Sequence, residues 1–172
     1  MAEIGMKDSN GYIYRTGLGQ DSHRFLTEES SKPCLLGGIV FEEAPGFSAD
    51  SDGDIILHAI CHAISTLTGV NVMMTIARDL CSKDGITDSQ VYVEKALELM
   101  KDQQIVHVAV ALEGRRPRIS DKIVQITEQL AKILKIEKNQ IGITCTTGEG
   151  LTDFGCGDGM QCFCIITTKQ RV

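Results

Sequence analysis

The order of strand-like and helix-like segments constrains the fold of this chain more than any single motif does. Runs rich in β-branched or aromatic residues, typical of strands, occupy residues 12–19, 34–41, 105–112, 140–146 and 160–168. Apolar residues at helical spacing occupy residues 55–69, 88–100 and 121–134. The order of these segments favours an α+β fold over a doubly wound parallel sheet. It runs as strands, two helices, a strand, a helix and two strands.

We therefore predict helices packed on one face of a four-stranded mixed β-sheet, with an extra N-terminal hairpin or loop. The Gly37-Gly38 pair makes a hairpin one of the two options for residues 34–41. Residues 1–11 are expected to form a loose tail and residues 12–170 a single domain. Residues 70–86 give no clear pattern, and Ser82-Lys83-Asp84-Gly85 within them predicts a loop. The sheet face without helices would be covered by sister subunits.

Composition narrows the class of protein. At 172 residues the chain is long enough to bury a core as one domain. A net charge of −6 argues against a nucleic-acid partner, because only Arg115, Arg116 and Arg118 form a basic cluster. The 7 cysteines include no C-x-x-C pair, so reduced thiols are expected, with Cys162 and Cys164 in the core. Without an apolar targeting segment or a membrane-length run, we expect a cytoplasmic protein and no membrane partner.

A carboxylate and an imidazole stand two residues apart at Asp21 and His23. On an extended strand, side chains two apart point the same way, so these two converge. Catalytic zinc is usually held by three protein ligands with a fourth position open, and this pair supplies two of the three. The pair alone is weak evidence, because solvated Asp and His residues in a loop give the same pattern.

His58 is the candidate third ligand, about one turn inside an apolar helix that follows the run Ser51-Asp52-Gly53-Asp54. The bland interpretation of His58 is a hydrogen-bonded core histidine. His62 follows four residues later and shares a helix face with it, as in paired metal ligands, or it is a supporting or surface group. The residues alone leave these alternatives open.

A second group of polar residues follows the strand at residues 140–146. Two hydroxyls at Thr146 and Thr147, a carboxylate at Glu149 and several glycines suit phosphate oxygens and a hard cation such as Mg²⁺ or Mn²⁺. Arg116 and Arg118 carry guanidinium groups whose geometry fits phosphate. A simple turn and a solvated charge run are the alternatives.

Taken in order, these motifs resemble one known family. The chain carries Gly-x-Asp-x-His-Arg-Phe, then Leu-Gly-Gly-Ile, then Ser-Asp-Gly-Asp followed by His58, and finally Thr-Thr-x-Glu-Gly-Leu. This combination, which spans most of the chain, resembles 2-C-methyl-D-erythritol 2,4-cyclodiphosphate synthase. The order of the four motifs is far more specific than any one of them.

The resemblance implies a metal-dependent phosphorus–oxygen lyase of mevalonate-independent isoprenoid synthesis. Its substrate would be 4-diphosphocytidyl-2-C-methyl-D-erythritol 2-phosphate, which cyclises with release of CMP. The resemblance implies a homotrimer with active sites between subunits, Zn²⁺ on Asp21, His23 and His58, and a second cation, Mg²⁺ or Mn²⁺, on Glu149. Thr147 would contact the transition state. Substrate-binding positions implied in the same way are Ser22, Ser51, Arg116, Arg118, Thr146 and Asp153.

Three departures from the family pattern bear on function. Asp50 stands where most members have a His that contacts the reacting groups, and we assign it a catalytic position. Residues 70–81 lack the family's usual motifs, and Cys156 replaces an Arg that lines the central cavity of the trimer. The alternative function is therefore a non-catalytic trimeric protein that binds metal and a phosphate ligand. A zinc hydrolase is a third possibility, but no general base is identifiable for it.

Overall fold

The computed structural model describes residues 8–171. Of the loose tail expected for residues 1–11, residues 1–7 lie outside the described range and residues 8–11 lie within it. Asp8 to Gly11 form a turn in which the Asp8 carboxylate accepts hydrogen bonds of 2.9 Å from the backbone N–H groups of Asn10 and Tyr12. This turn leads directly into the first strand.

Of the six strands within residues 8–171, four form one mixed sheet: β1 (Tyr12–Arg24), β4 (Gln104–Glu113), β5 (Ile141–Thr146) and β6 (Gly159–Arg171). Their order in the sheet is β1-β6-β4-β5. The long strand β6 pairs antiparallel with both neighbours, whereas β4 and β5 are parallel. The predicted four-stranded mixed sheet is confirmed.

The segment predicted as a strand or hairpin is a hairpin that forms its own two-stranded sheet. Its strands are β2, Pro33–Leu36, and β3, Ile39–Pro45. Between them Gly37 and Gly38 have φ values of 62° and 78°. Positive φ at both central residues defines the turn type that suits the twist of two-residue hairpins, and glycine adopts it without steric cost.

The helices are α1 (Ile55–Thr68), α2 (Arg78–Asp84), α3 (Ser89–Glu98), α4 (Ile123–Leu134) and the short α5 (Asp153–Cys156). Helix α1 lies directly on β1 because Gly17 and Gly19 carry no side chain. A Cβ at Gly19 would collide with the carbonyl oxygen of Ala59, and one at Gly17 would collide with that of Ala63. Two glycines in one strand thus bring the start of α1 close to the end of β1.

The two faces of the sheet differ in cover. On the helix side Cys162, Cys164 and Ile166 are fully buried, which confirms the two cysteines as core residues. On the opposite side Leu18 and Ile165, which pair across β1 and β6, keep 55% and 42% of their surface exposed in the single chain. The prediction of helices on one face is confirmed.

The segment predicted to contain a loop is helical instead. A π-helical turn, Met73–Ala77, runs into α2, so Ser82 to Asp84 belong to a helix and the loop prediction was wrong there. Gly85, with φ of 68°, ends that helix in the left-handed conformation. A glycine that terminates a helix gives the same sequence signal as one in a loop. Within residues 8–171, no helix is both long and apolar enough to cross a bilayer.

Candidate metal centre and active site

Three side chains converge where the end of β1 meets the first turn of α1. Oδ2 of Asp21 lies 3.0 Å from Nδ1 of His58 and 3.2 Å from Nε2 of His23. The same two ring nitrogens lie 3.3 Å apart. These distances describe a nearly equilateral triangle of potential metal-ligand atoms.

Local structure explains the convergence. Asp21 and His23 are alternate residues of β1, so their side chains leave the same face of the strand. The Asp54 side chain caps α1 by accepting from the backbone N–H groups of Ile56 and Leu57, which fixes the first helical turn. His58 sits at the end of that turn and is only 3% exposed. The predicted pairing of a D-x-H strand with a helical histidine is therefore present in the structure.

The electrostatics of the triad favour an ionised carboxylate. Burial alone would raise the pKa of Asp21, but hydrogen bonds and positive charge from His23 and His58 outweigh burial and hold the pKa well below its ordinary value. An ionised carboxylate with two imidazoles is a donor set that Zn²⁺ accepts readily.

The spacing of the ligand atoms also fits zinc. Bonds of about 2.0–2.1 Å to a tetrahedral ion separate any two ligand atoms by about 3.3–3.4 Å. The three distances in the triad, 3.0, 3.2 and 3.3 Å, approach that value before any adjustment of side chains. Asp21, His23 and His58 form a group that could hold a metal ion, and His62 is not part of it.

Behind the triad, the other ring nitrogen of His58 faces two hydroxyls. Nε2 lies 2.9 Å from Oγ of Ser89 and 3.1 Å from Oγ of Ser51. The Ser89 hydroxyl in turn donates to the carboxylate of Asp52. Sequence reasoning missed Ser89 and Asp52, because a serine directly after Asp88 at the start of a helix indicates only a cap.

The triad opens into a cleft of about 660 Å³. Asp50 is an exposed residue on its rim, and Met73, Met74 and Arg78 from the helical segment form part of its wall. Lys32 also lines the cleft and was missed by sequence reasoning. Its ammonium group donates hydrogen bonds of 2.8 Å to the carbonyl oxygen of Ala49 and 2.6 Å to that of Ser51. Lys32 thus fastens the segment that carries Asp50.

Comparison with known proteins decides the family. The family model described as YgbB matches residues 14–169. The chain belongs to the YgbB family.

Named relatives in this family agree with the resemblance carried by the motifs. A protein named 2-C-methyl-D-erythritol 2,4-cyclodiphosphate synthase from Chlamydia caviae is 51% identical over 160 residues, 92% of this chain and 91% of the relative. A protein of the same name from Chlamydia abortus is 52% identical with the same coverage. The identification made from the motifs is confirmed.

Solved structures show the same fold. The CDP complex of IspF from Plasmodium falciparum matches with a TM-score of 0.80 at 25% identity, covering 96% of this chain and all of that one (100%). The bifunctional IspDF from Campylobacter jejuni matches with a TM-score of 0.83 at 23% identity, covering 92% of this chain and 43% of that one. The second likeness extends to the fold only.

The second group of residues singled out by the YgbB-family motifs lies elsewhere on the chain. Thr147 donates a 3.1 Å hydrogen bond to the carboxylate of Glu149, and both are exposed. Glu149 has a φ of 51°, so its backbone holds a left-handed conformation between two glycines. Thr146, Thr147 and Glu149 do not line the cleft that contains the triad. Within residues 8–171 of a single chain, the two groups therefore do not share the triad cleft.

The remaining predicted substrate positions lie outside the triad cleft, apart from Ser51, which lines it. Ser22 and Asp153 line a separate cavity of about 290 Å³ that His23 also borders. Arg116 forms a 2.6 Å ion pair with Glu28. Arg118 is largely exposed, with Nε 3.4 Å from Asp121.

Proposed function

We propose that this chain cyclises 4-diphosphocytidyl-2-C-methyl-D-erythritol 2-phosphate to 2-C-methyl-D-erythritol 2,4-cyclodiphosphate, releasing CMP. The observation that carries the proposal is the Asp21, His23 and His58 triad at the base of a cleft, in a chain about half identical to proteins named for that synthase.

The reaction is an internal displacement at phosphorus. An oxygen of the 2-phosphate forms a bond to the β-phosphorus of the cytidine diphosphate group, and the bond from that phosphorus to the CMP oxygen breaks. Bringing together two anionic groups makes positioning and charge neutralisation the main tasks of the protein. Zn²⁺ on the triad supplies, when bound, Lewis-acid polarisation of a phosphoryl oxygen.

The predicted site residues outside the triad have separate tasks in this proposal. Thr147 donates a hydrogen bond to the reacting phosphoryl group, and the Glu149 carboxylate holds a second divalent cation, Mg²⁺ or Mn²⁺. Ser51 binds substrate in the triad cleft, and Ser22 and Asp153 bind it at the neighbouring cavity that His23 borders. Thr146, Arg116 and Arg118 face the cytidine monophosphate portion.

Asp50 lies on the rim of the cleft, where its negative charge would repel the phosphate groups of the substrate. We assign Asp50 to a hydroxyl of the methylerythritol unit, because a carboxylate is an acceptor that a hydroxyl can satisfy. The nearby ammonium group of Lys32 offsets its charge, since both side chains line the same cleft.

A homotrimer completes the site in this proposal. The triad and the segment with Thr147 and Glu149 lie apart in one chain, so a neighbouring copy has to supply one of them. The sheet face opposite the helices offers the surface for that contact. Its exposed apolar side chains are Tyr14, Leu18, Phe163 and Ile165, with 51%, 55%, 42% and 42% of their surface exposed.

One assay tests the reaction. Purified protein is incubated with the cytidine diphospho substrate, Zn²⁺ and Mg²⁺, and CMP and the cyclic product are followed by chromatography. Equal amounts of the two products are expected, and Thr147→Val serves as a matched variant that loses one hydroxyl and should form both more slowly. If CMP does not rise above the metal-free control, the alternative of a metal and phosphate-ligand binding protein takes its place.

A further inference from the structure

We infer that Ser89 and Asp52 are positioning residues that fix the tautomer of His58 so that its Nδ1 faces the metal. The inference rests on the proposed function only in taking the Asp21, His23 and His58 triad as the metal site. It concerns a chain of hydrogen bonds that runs away from the triad into the protein.

The chain begins at the ring nitrogen of His58 that does not face the triad. A neutral imidazole carries its proton on one nitrogen and a lone pair on the other. Only the form with the proton on Nε2 leaves Nδ1 free to bind a cation. Nδ1 is the atom that lies 3.0 Å from Asp21 and 3.3 Å from His23, so the site requires the Nε2–H form.

Ser51 does not impose that form. Its hydroxyl lies 3.1 Å from Nε2 and accepts a 3.2 Å hydrogen bond from the backbone N–H of Gly53. A hydroxyl has one proton and two lone pairs, so it can rotate to donate to Nε2 or to accept from it. With Ser51 as the only partner, both tautomers of His58 would be satisfied.

Ser89 selects one of the two tautomers because its hydroxyl proton is already donated to another group. Its hydroxyl donates to Oδ1 of Asp52, and its backbone N–H donates to Oδ2 of the same carboxylate at 2.9 Å. An ionised carboxylate is acceptor only. The Ser89 oxygen can therefore only accept from Nε2 of His58, which lies 2.9 Å away.

The arrangement is held rigidly. Ser89 is fully buried and is the first residue of α3, so its position is fixed by the helix start. The backbone of Asp52 is also fixed, because its N–H donates a 2.9 Å hydrogen bond to the carbonyl oxygen of Thr87. Histidines that ligate metals commonly donate their second N–H to such a partner, and removing the partner typically lowers metal affinity.

Zinc affinity of the whole protein gives the first test, measured by competition with a chromophoric chelator and Zn²⁺ alone. Ser89→Ala should lower the affinity about 10- to 100-fold. Asp52→Ala should lower it as well, although Asp52 does not touch the ring, because the freed Ser89 proton can then turn to Nε2. The double variant should be no worse than Ser89→Ala, since both changes interrupt one chain of bonds.

Ser51→Ala is the matched control for zinc binding, because it removes the other hydroxyl near the same nitrogen. The zinc affinity of the Ser51→Ala protein should stay close to that of the wild type. A loss as large as that of Ser89→Ala, or an unchanged affinity in Ser89→Ala, overturns the inference.

The second test needs no variant and no turnover. Nitrogen-15 NMR of the metal-free wild type reports whether Nε2 of His58 carries a proton, and a protonated Nε2 is expected. A ring protonated only at Nδ1 overturns the inference even if Ser89→Ala fails to fold. Absence of zinc binding in the wild type would remove the proposed metal centre, while the NMR result would still decide the role of Ser89 and Asp52.

Discussion

Nδ1 of His58 lies 3.0 Å from Oδ2 of Asp21, although 37 positions separate the two residues in the chain. The contact exists because Gly17 and Gly19 let α1 lie directly on β1, so a helix start and a strand end meet. No other side chain lies between the backbones of α1 and β1 at Gly19. The predictions below follow from this junction and from the elements that support it.

The triad predicts which histidine of α1 holds zinc. His58→Ala should lose bound zinc, because two remaining ligands rarely retain the ion. The matched control is His62→Ala on the same helix, half-buried and outside the triad, which should keep its zinc. Elemental analysis of purified protein measures both. Equal zinc content in the two variants would remove His58 from the site.

The uncovered sheet face predicts the assembly state. Leu18→Glu places a charge in the middle of the apolar face of β1 and β6, so the native mass should fall from three subunits to one. Light scattering measures the mass, and CMP formation should disappear with it while zinc content stays unchanged. Val124→Glu, which alters an exposed residue of α4 (69% exposed), is the matched control and should stay trimeric. A wild-type monomer contradicts the prediction outright.

We expect the ammonium group of Lys32 to support catalysis by positioning the segment that carries Asp50. Lys32→Met keeps the length of the side chain but loses the two hydrogen bonds to the carbonyl oxygens of Ala49 and Ser51. These bonds position the segment that carries Asp50, and displacing such a segment can cost on the order of 100-fold in rate. We expect kcat/KM for CMP release to fall about tenfold or more.

The control for that measurement is Lys83→Met, which removes an exposed lysine that pairs with Asp79 outside the cleft. It should leave kcat/KM unchanged. Unchanged kinetics in Lys32→Met would mean that the segment with Asp50 holds its position without the ammonium group.

Asp54 predicts a large loss of stability. Its fully buried carboxylate accepts from four backbone N–H groups, those of Ile56 and Leu57 in α1 and of Gly37 and Gly38 in the hairpin turn. Asp54→Ala should lower the free energy of unfolding by about 3 kcal/mol or more, because it leaves buried donors without an acceptor. Asp88→Ala removes an exposed cap with one such bond and should cost about 1 kcal/mol. Urea denaturation compares them, and equal losses would refute the difference.

Buried thiols predict a pH dependence of stability. Burial raises the pKa of Cys34 and of Cys164 from 9.0 to about 12, in each case as the largest cause. Between these values the folded chain keeps protons that the unfolded chain releases, so stability is fully present below pH 9 and falls as pH rises toward 12.

Urea denaturation at increasing pH, with reductant present, measures this fall. Cys34→Ala should make it shallower by up to about 1.4 kcal/mol per pH unit, because one of the protons is no longer involved. Cys156→Ala alters an exposed thiol and should keep the wild-type slope. An identical slope in all three proteins would show that the buried thiols are not its source.

Much of the fold could be predicted from local pattern. The Ser51-Asp52-Gly53-Asp54 run and the apolar spacing after it located α1, and alternation along β1 placed Asp21 and His23 on one face. The helix at residues 78–84 was missed, since its terminal glycine and polar last turn give the signal of a loop. Ser89, Asp52 and Lys32 were missed as site residues because each has an ordinary local role in the sequence.

The sequence by itself determined most of the strands and the three longer helices, the ligand types and the family, because these depend on periodicity and on motifs within short stretches. The tertiary structure places His58 rather than His62 against Asp21, as the family resemblance implied. Only the tertiary structure decided that the far nitrogen of His58 meets Ser89, which in turn meets Asp52. Those outcomes depend on how closely α1 approaches β1 and on where α3 begins. A distance between elements is set by packing across the core, and no local pattern in the chain encodes it.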